Sequence, residues 1–116
     1  LGDVYKRQVY YVADCWVNGS ELDVWFDANA NWIMTEMEIF REQLPAAVNT
    51  AYEESGYGDW VIDNLTKLTF PHKSEEFVFE VQRGAQERAL YYSAYGGLLL
   101  EKDITDADDT HWPDVE

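Results

Sequence analysis

The chain has 116 residues, enough for one domain and too few for two ordinary ones. Apolar residues make up 47% of it and aromatic residues 16%, which excludes a wholly disordered chain. Eight basic against twenty-three acidic residues leave a net charge of -15. Such a charge repels phosphate backbones and anionic bilayers, so nucleic acid is excluded as a partner and a cationic partner, or simple solubility, is what remains.

Cys15 is the one cysteine, so no internal disulfide can form. No apolar run approaches the roughly 20 residues that a membrane-spanning helix needs. The opening LGDVYKRQ holds two of the eight basic residues and matches nothing in the pattern described below. Residues 1–8 are therefore read as a non-native junction, and the chain as truncated at its N-terminus.

The first clear element is a hairpin. Asn18-Gly19 lies between two alternating runs, and a type I′ turn needs positive φ at both central residues. With those two as the loop, Val17 faces Ser20, Cys15 faces Leu22, Ala13 faces Val24 and Tyr11 faces Phe26. This largely apolar set is read as the core side, because alternate residues share a face. The other side then holds Trp16 with Glu21, Asp14 with Asp23, and Val12 with Trp25. A short Asn-rich turn over 27–31 leads to a third strand. There, alternation puts Trp32 and Met34 on the core side and Ile33 opposite.

Pro45 suits a first helical turn and Gly56 the position just past the last. Leu44, Ala47, Val48, Ala51 and Tyr52 recur at helical spacing, which predicts a helix of about ten residues covering one face of the sheet. DWVIDNLTKLTF follows as a strand, ended by the loop Pro71 to Ser74. Sixty-six positions after the first hairpin the pattern returns. Gly84-Ala85 takes the loop position as a Gly-first type II′ turn. Phe77 then faces Tyr92 and Phe79 faces Leu90 on the core side; Val78 faces Tyr91 and Glu80 faces Ala89 on the other. Ser93 to Gly97 repeats the 27–31 turn, with Leu98 and Leu100 on the core side and Leu99 opposite. The fold class predicted is α+β: an antiparallel β-sheet of tandem β-meander units with a helix packed on one face. The units run over 9–39 and 44–104 of a single domain, 9–104, and residues 105–116 form an acidic tail.

Three stretches carry a family resemblance: Leu44 to Val48, the Tyr-rich Tyr10 to Val17, and the Phe-Asp-Ala-x-x-x-Trp run from Phe26 to Trp32. Together they resemble the PepSY-like, β-lactamase-inhibitor-protein-like domains of bacterial envelope proteins, over roughly residues 9 to 104. That resemblance implies helices packed on one face of an antiparallel sheet and export to the periplasm or cell surface; the fold is shared with inhibitors of β-lactamases, but a shared fold does not transfer an activity. It carries over no functional residue, and the chain departs from the pattern at the first turn, DANAN, and in lacking the leading helix.

Chemical motifs are weak. Asp27, Asn29 and Asn31, with Glu38 beyond them, mimic the spacing of a calcium loop, but Trp32 stands where a glycine is required and a strand follows where a helix should. These residues are read as turn formers that bond local backbone. His72 and His111 fall in loops without zinc-ligand spacing. Cys15 lies on the core side, and Ser20, Ser55, Ser74 and Ser93 lie in no nucleophile-elbow context. No catalytic residue, metal ligand or cofactor is expected. The informative feature is the side away from the helix. Val12, Trp25 and Ile33, with Tyr10 and Trp16 near, and Val78, Tyr91 and Leu99 in the second unit, form an aromatic stripe rimmed by carboxylates. An exposed apolar patch of that kind marks a binding face for a protein, peptide or cationic partner. The alternative is a structural unit that self-associates or packs there against a missing N-terminal segment.

Overall fold

The computed structural model describes residues 3–7 and 10–106. Most of the 105–116 tail, His111 included, and Leu1, Gly2 and Gln8 of the presumed junction lie outside the described residues. Eight antiparallel strands form one sheet in chain order: β1 (Val4–Arg7), β2 (Tyr10–Val17), β3 (Ser20–Phe26), β4 (Trp32–Glu38), β5 (Val61–Thr69), β6 (Glu76–Arg83), β7 (Gln86–Ser93) and β8 (Leu98–Asp103). One helix, α1 (Ala46–Glu53), packs on it, so the α+β class holds. No helix among the described residues is long and apolar enough to cross a membrane. Val4–Arg7, set aside in the sequence, pairs with β2 as the edge strand.

Register follows from the turns. Asn18 and Gly19 have φ of 51° and 81°, as a type I′ loop requires, and Val17 pairs with Ser20 and Tyr11 with Phe26. Gly84 alone of its pair has positive φ, 61°, and Phe77 pairs with Tyr92. The next turns also match: Asp27 and Ser93 each receive an amide N–H through their carbonyl oxygen, from Ala30 at 3.0 Å and Gly96 at 3.0 Å. The β3–β4 and β7–β8 ladders bulge at Trp25/Phe26 and at Tyr91/Tyr92. Those bulges change the face assignment after them. Trp25 pairs with Met34, so Met34 joins the far side rather than the core side expected from simple alternation. Leu98, Leu99 and Leu100 are all exposed.

The helix starts after Pro45 and ends at Glu54, with Gly56 at φ 88°. Its Val48 and Tyr52 are buried in a core with Ile39, Leu65, Phe77, Phe79, Val81, Leu90 and Tyr92. Tyr52 stacks on Phe79 with ring centroids 4.1 Å apart, and its hydroxyl donates to the Tyr57 carbonyl at 2.9 Å. α1 comes so close to the second turn that a Cβ on Gly96 would lie 2.7 Å from the Ala47 carbonyl oxygen. The helix thus serves the second half of the sheet. The corresponding side of the first hairpin is not a core: Tyr11 is 38% exposed, Val17 47%, and Ala13, Cys15, Leu22, Val24 and Phe26 are half-buried. No described helix covers them.

A second core fills the far side, made of Tyr10, Val12, Trp25, Met34, Leu68, Val78, Ala89, Tyr91 and Ile104. Trp25 is 1% exposed and Val12 and Val78 are fully buried. Trp25→Ala is expected to cost about 3–5 kcal/mol, as truncation of a buried large aromatic does, read by chemical denaturation. Gly96→Ala is expected to lower the melting temperature as well, because it adds both a clash with α1 and a strained positive φ. A wild-type midpoint in either variant would contradict this packing.

Candidate functional site

Sequence reasoning placed eight residues on one exposed stripe, and the structure corrects that. Tyr10, Val12, Trp25, Val78 and Tyr91 do share the side away from α1, but all five are buried, and Ile33 is partly buried against them. Only Trp16, 68% exposed, and Leu99, 54% exposed, stand in solvent. The stripe supplies its own cover. Tyr10 meets Trp25 edge-on with centroids 6.0 Å apart, the Lys102 ammonium sits 5.1 Å from the Tyr91 ring centre, and Phe70 and Ile104 close the margins. Neighbouring rings across antiparallel strands bury one another in this way, so a run of large apolar residues on a helix-free face becomes a core.

What stays open lies at the two ends of that face. At the Asn18-Gly19 end, β2, β3 and β4 bring Asp14 opposite Asp23 and Asp23 opposite Glu36. Glu21, Asp23, Glu36 and Glu38, with Asn64 and Thr66 of β5, line a depression of about 210 Å³. Trp25 donates its indole N–H to Glu36 Oε1 at 2.5 Å, which ties this end to the buried stripe. Asn64 donates to Glu80 Oε2 at 3.2 Å. Burial pushes the Asp23 carboxyl up to about 8, assisted by its hydrogen bond to Asp14 and by the charges of Asp14, Glu36 and Glu21. Like charges this close cannot all ionise, so Asp23 keeps its proton at neutral pH.

At the opposite end the turn after β3 and the loop after β5 enclose an apolar groove of about 720 Å³, lined by Asp27, Asn31, Trp32, Ile33, Phe70, Pro71, His72 and Lys73. Trp32 is held by its indole N–H donating to Thr35 Oγ1 at 2.9 Å. Asp27 behaves as the turn former expected of it. Its Oδ1 accepts the amides of Asn29 and Asn31, both at 2.9 Å, and its Oδ2 accepts the Asn31 side chain. Those bonds, the Asn31 amide first, hold its carboxyl below the usual range. His72 is exposed in the groove wall. Sequence reasoning missed this groove because its walls come from turns some forty residues apart; the flanking Trp32 and Phe70 were the available signal. Among the described residues no three His, Cys, Asp or Glu side chains are placed to hold a metal ion.

A raised acid pKa has a defined stability sign. Below about pH 4 Asp23 is protonated in both states; between there and about pH 8 only the folded state keeps the proton, so stability falls as pH rises through that window. Asp27 and Asp103, both held low, act only under more acidic conditions. Asp23→Asn is therefore expected to flatten the decline between pH 5 and pH 9 and to gain about 1 kcal/mol at the alkaline end, solvent screening included. Parallel melting curves for the two proteins across that range would refute the raised Asp23 acid.

A family model described as beta-lactamase-inhibitor-like, PepSY-like matches residues 9–100. Among solved structures, a BLIP-like protein from Bacteroides fragilis NCTC 9343 is 52% identical, with a TM-score of 0.89, over 97% of this chain and 81% of that one. A DUF2874 family protein from Bacteroides ovatus ATCC 8483 is 28% identical, with a TM-score of 0.91, over 96% and 81%. A protein from Bacteroides eggerthii DSM 20697, described as a candidate periplasmic protein, is 28% identical, with a TM-score of 0.88, over 92% and 79%. No curated protein matches the chain in sequence. On the match over most of its length and the identity to a solved relative, the chain belongs to the PepSY-like, beta-lactamase-inhibitor-like family.

Proposed function

We propose that the protein is an exported, non-catalytic binding module of the inhibitor-like kind, gripping a protein or peptide partner with the open ends of its far face. In this reading 9–104 is one domain of two meanders related by duplication, residues 1–8 are a junction, and 105–116 are an acidic tail. The observation that carries it is the pairing of an acidic depression and an aromatic groove on one face, on either side of a buried apolar stripe. The depression supplies charge and the groove supplies apolar area, the two components of a specific interface. Of the eight stripe residues, Trp16 and Ile33 are contact candidates and the buried five form their base; Leu99 drops out, because Leu100 rather than Leu99 pairs with Tyr91. Trp32 and Phe70 join the contact set. An address in the periplasm or at the cell surface is supported by the family and by the described kinship to the Bacteroides eggerthii protein.

A self-assembly unit is the second reading, favoured by the exposed Leu98, Leu99 and Leu100 on the open edge strand β8. The test places a photo-crosslinking benzoylphenylalanine at Trp16, at Trp32 and, on the helix side, at Glu53, in protein exported by a Bacteroides host. Adducts with one distinct protein from positions 16 and 32, and none from 53, are expected. Equal labelling from all three overturns the binding face, and adducts between copies of this chain establish self-assembly instead.

A further inference from the structure

We infer that the groove between Trp32 and Phe70 seats a neutral saccharide presented by the partner; the inference rests on the binding-module reading above, which places a partner contact there. The first ground is the wall itself. A space of about 720 Å³ falls within the ~300–1,000 Å³ of small-molecule sites, and its walls combine Trp32, Ile33 and Phe70 with a few polar side chains. Trp32 is 36% exposed, and its indole N–H is already given to Thr35 Oγ1 at 2.9 Å. That bond fixes the ring in place and leaves its carbon surface, not its N–H, for whatever enters.

The second ground is the hydrogen-bonding inventory of the turn after β3. Asp27 Oδ1 is filled by the amides of Asn29 and Asn31, whereas Oδ2 receives the Asn31 side chain at 3.1 Å. A carboxylate oxygen carries two lone pairs, so Oδ2 can take one more O–H or N–H donor. Asn31 spends one amide N–H on that bond and keeps a second N–H and its carbonyl oxygen. Acceptor, donor and acceptor thus stand side by side on an exposed turn next to an aromatic ring. Neighbouring hydroxyls of a sugar, each both donor and acceptor, match that order, and the sugar's C–H face matches the electron-rich face of an indole. His72, on the loop after β5, adds two ring nitrogens to the same groove.

Charge then selects a neutral ligand. The Asp27 carboxylate stands on one loop and the Lys73 ammonium on the other; Lys73 pairs with Glu76 at 3.3 Å and lies 4.2 Å from the Phe70 ring centre. An entering anion meets Asp27 and the field of a chain of net charge -15, and an entering cation meets the Lys73 ammonium. A proline-rich peptide is the other guest that aromatic grooves take. It brings carbonyl acceptors and few donors, which leaves Asp27 Oδ2 unmatched. The indole N–H that would meet one of its carbonyls is spent on Thr35. A sugar satisfies both the ring and the turn.

The experiment is an amide-resolved NMR titration of the whole chain with the methyl glycosides of glucose, galactose, mannose and N-acetylglucosamine. Methyl glucuronide, glucosamine and acetyl-triproline amide are the comparators. Saturable shifts from at least one neutral glycoside are expected at Asn31, His72 and the Trp32 indole, with a Kd of about 1 mM. Trp32→Ala should weaken that binding about ten-fold and Asn31→Ala about three-fold, as loss of a stacked ring and of a neutral hydrogen bond would. Trp32→Phe, which keeps a ring, should retain most of it, and Glu53→Gln on α1 should change nothing. Melting curves confirm that the variants remain folded. Absence of saturable shifts with every neutral glycoside overturns the inference, as does tighter binding of the glucuronide, the amino sugar or the proline peptide at these residues. Partner crosslinks from positions 16 and 32 without glycoside binding also overturn it, while leaving the binding-module reading intact. Glycoside binding with equal crosslinking from 16, 32 and 53 keeps the sugar seat and overturns that reading instead.

Discussion

Side-chain alternation, pinned by two-residue turns, is the constraint on which the rest of this structure depends. Asn18-Gly19 and Gly84-Ala85 fix which residue meets which across β2–β3 and β6–β7. A slip of one position would turn every side chain to the other face. Phe79 and Leu90 would then lose Tyr52, and Trp25 would lose Tyr10 and the carboxylate of Glu36. Local backbone geometry at four residues thus decides where both cores and both openings lie. The positive φ that these turns demand is available to Asn and Gly at little cost.

The two faces solve the burial problem differently. On one side α1 provides the cover, and its fit is set by the stacked Tyr52–Phe79 pair and by the missing side chain at Gly96. On the other side no described helix is present, and aromatic rings from several strands shield one another and the small residues between them. An antiparallel sheet usually keeps one face wet. Here the wet part is reduced to the ends, where the apolar row gives way to carboxylates in one direction and to the Trp32 groove in the other. That division makes the ends chemically distinct, which a uniform solvent face would not be.

Pairing was largely legible from the residues. Turn chemistry gave both hairpins, the helix start after Pro45, and the side on which Val12, Trp25, Val78 and Tyr91 lie. Three things were not. The bulges at Trp25/Phe26 and Tyr91/Tyr92 shift parity by one, and no local residue type announces them, so Met34 was placed on the wrong face. Exposure was misjudged because alternation tells which side a ring takes, not whether its neighbours cover it; five of the eight stripe residues are buried. The acidic depression needs three strands in register before Asp14, Asp23 and Glu36 become neighbours. Their sequence positions alone suggested only a solvated rim.

The proton held on Asp23 has an effect beyond the binding face. Near neutrality the raised Asp23 acid makes the native chain less negative than its formal charge of -15, a difference that the denatured chain loses. Denaturation near pH 7 then liberates hydrogen ion, and the heat absorbed in a calorimeter differs between phosphate and amine buffers by the ionisation heat of whichever captures it.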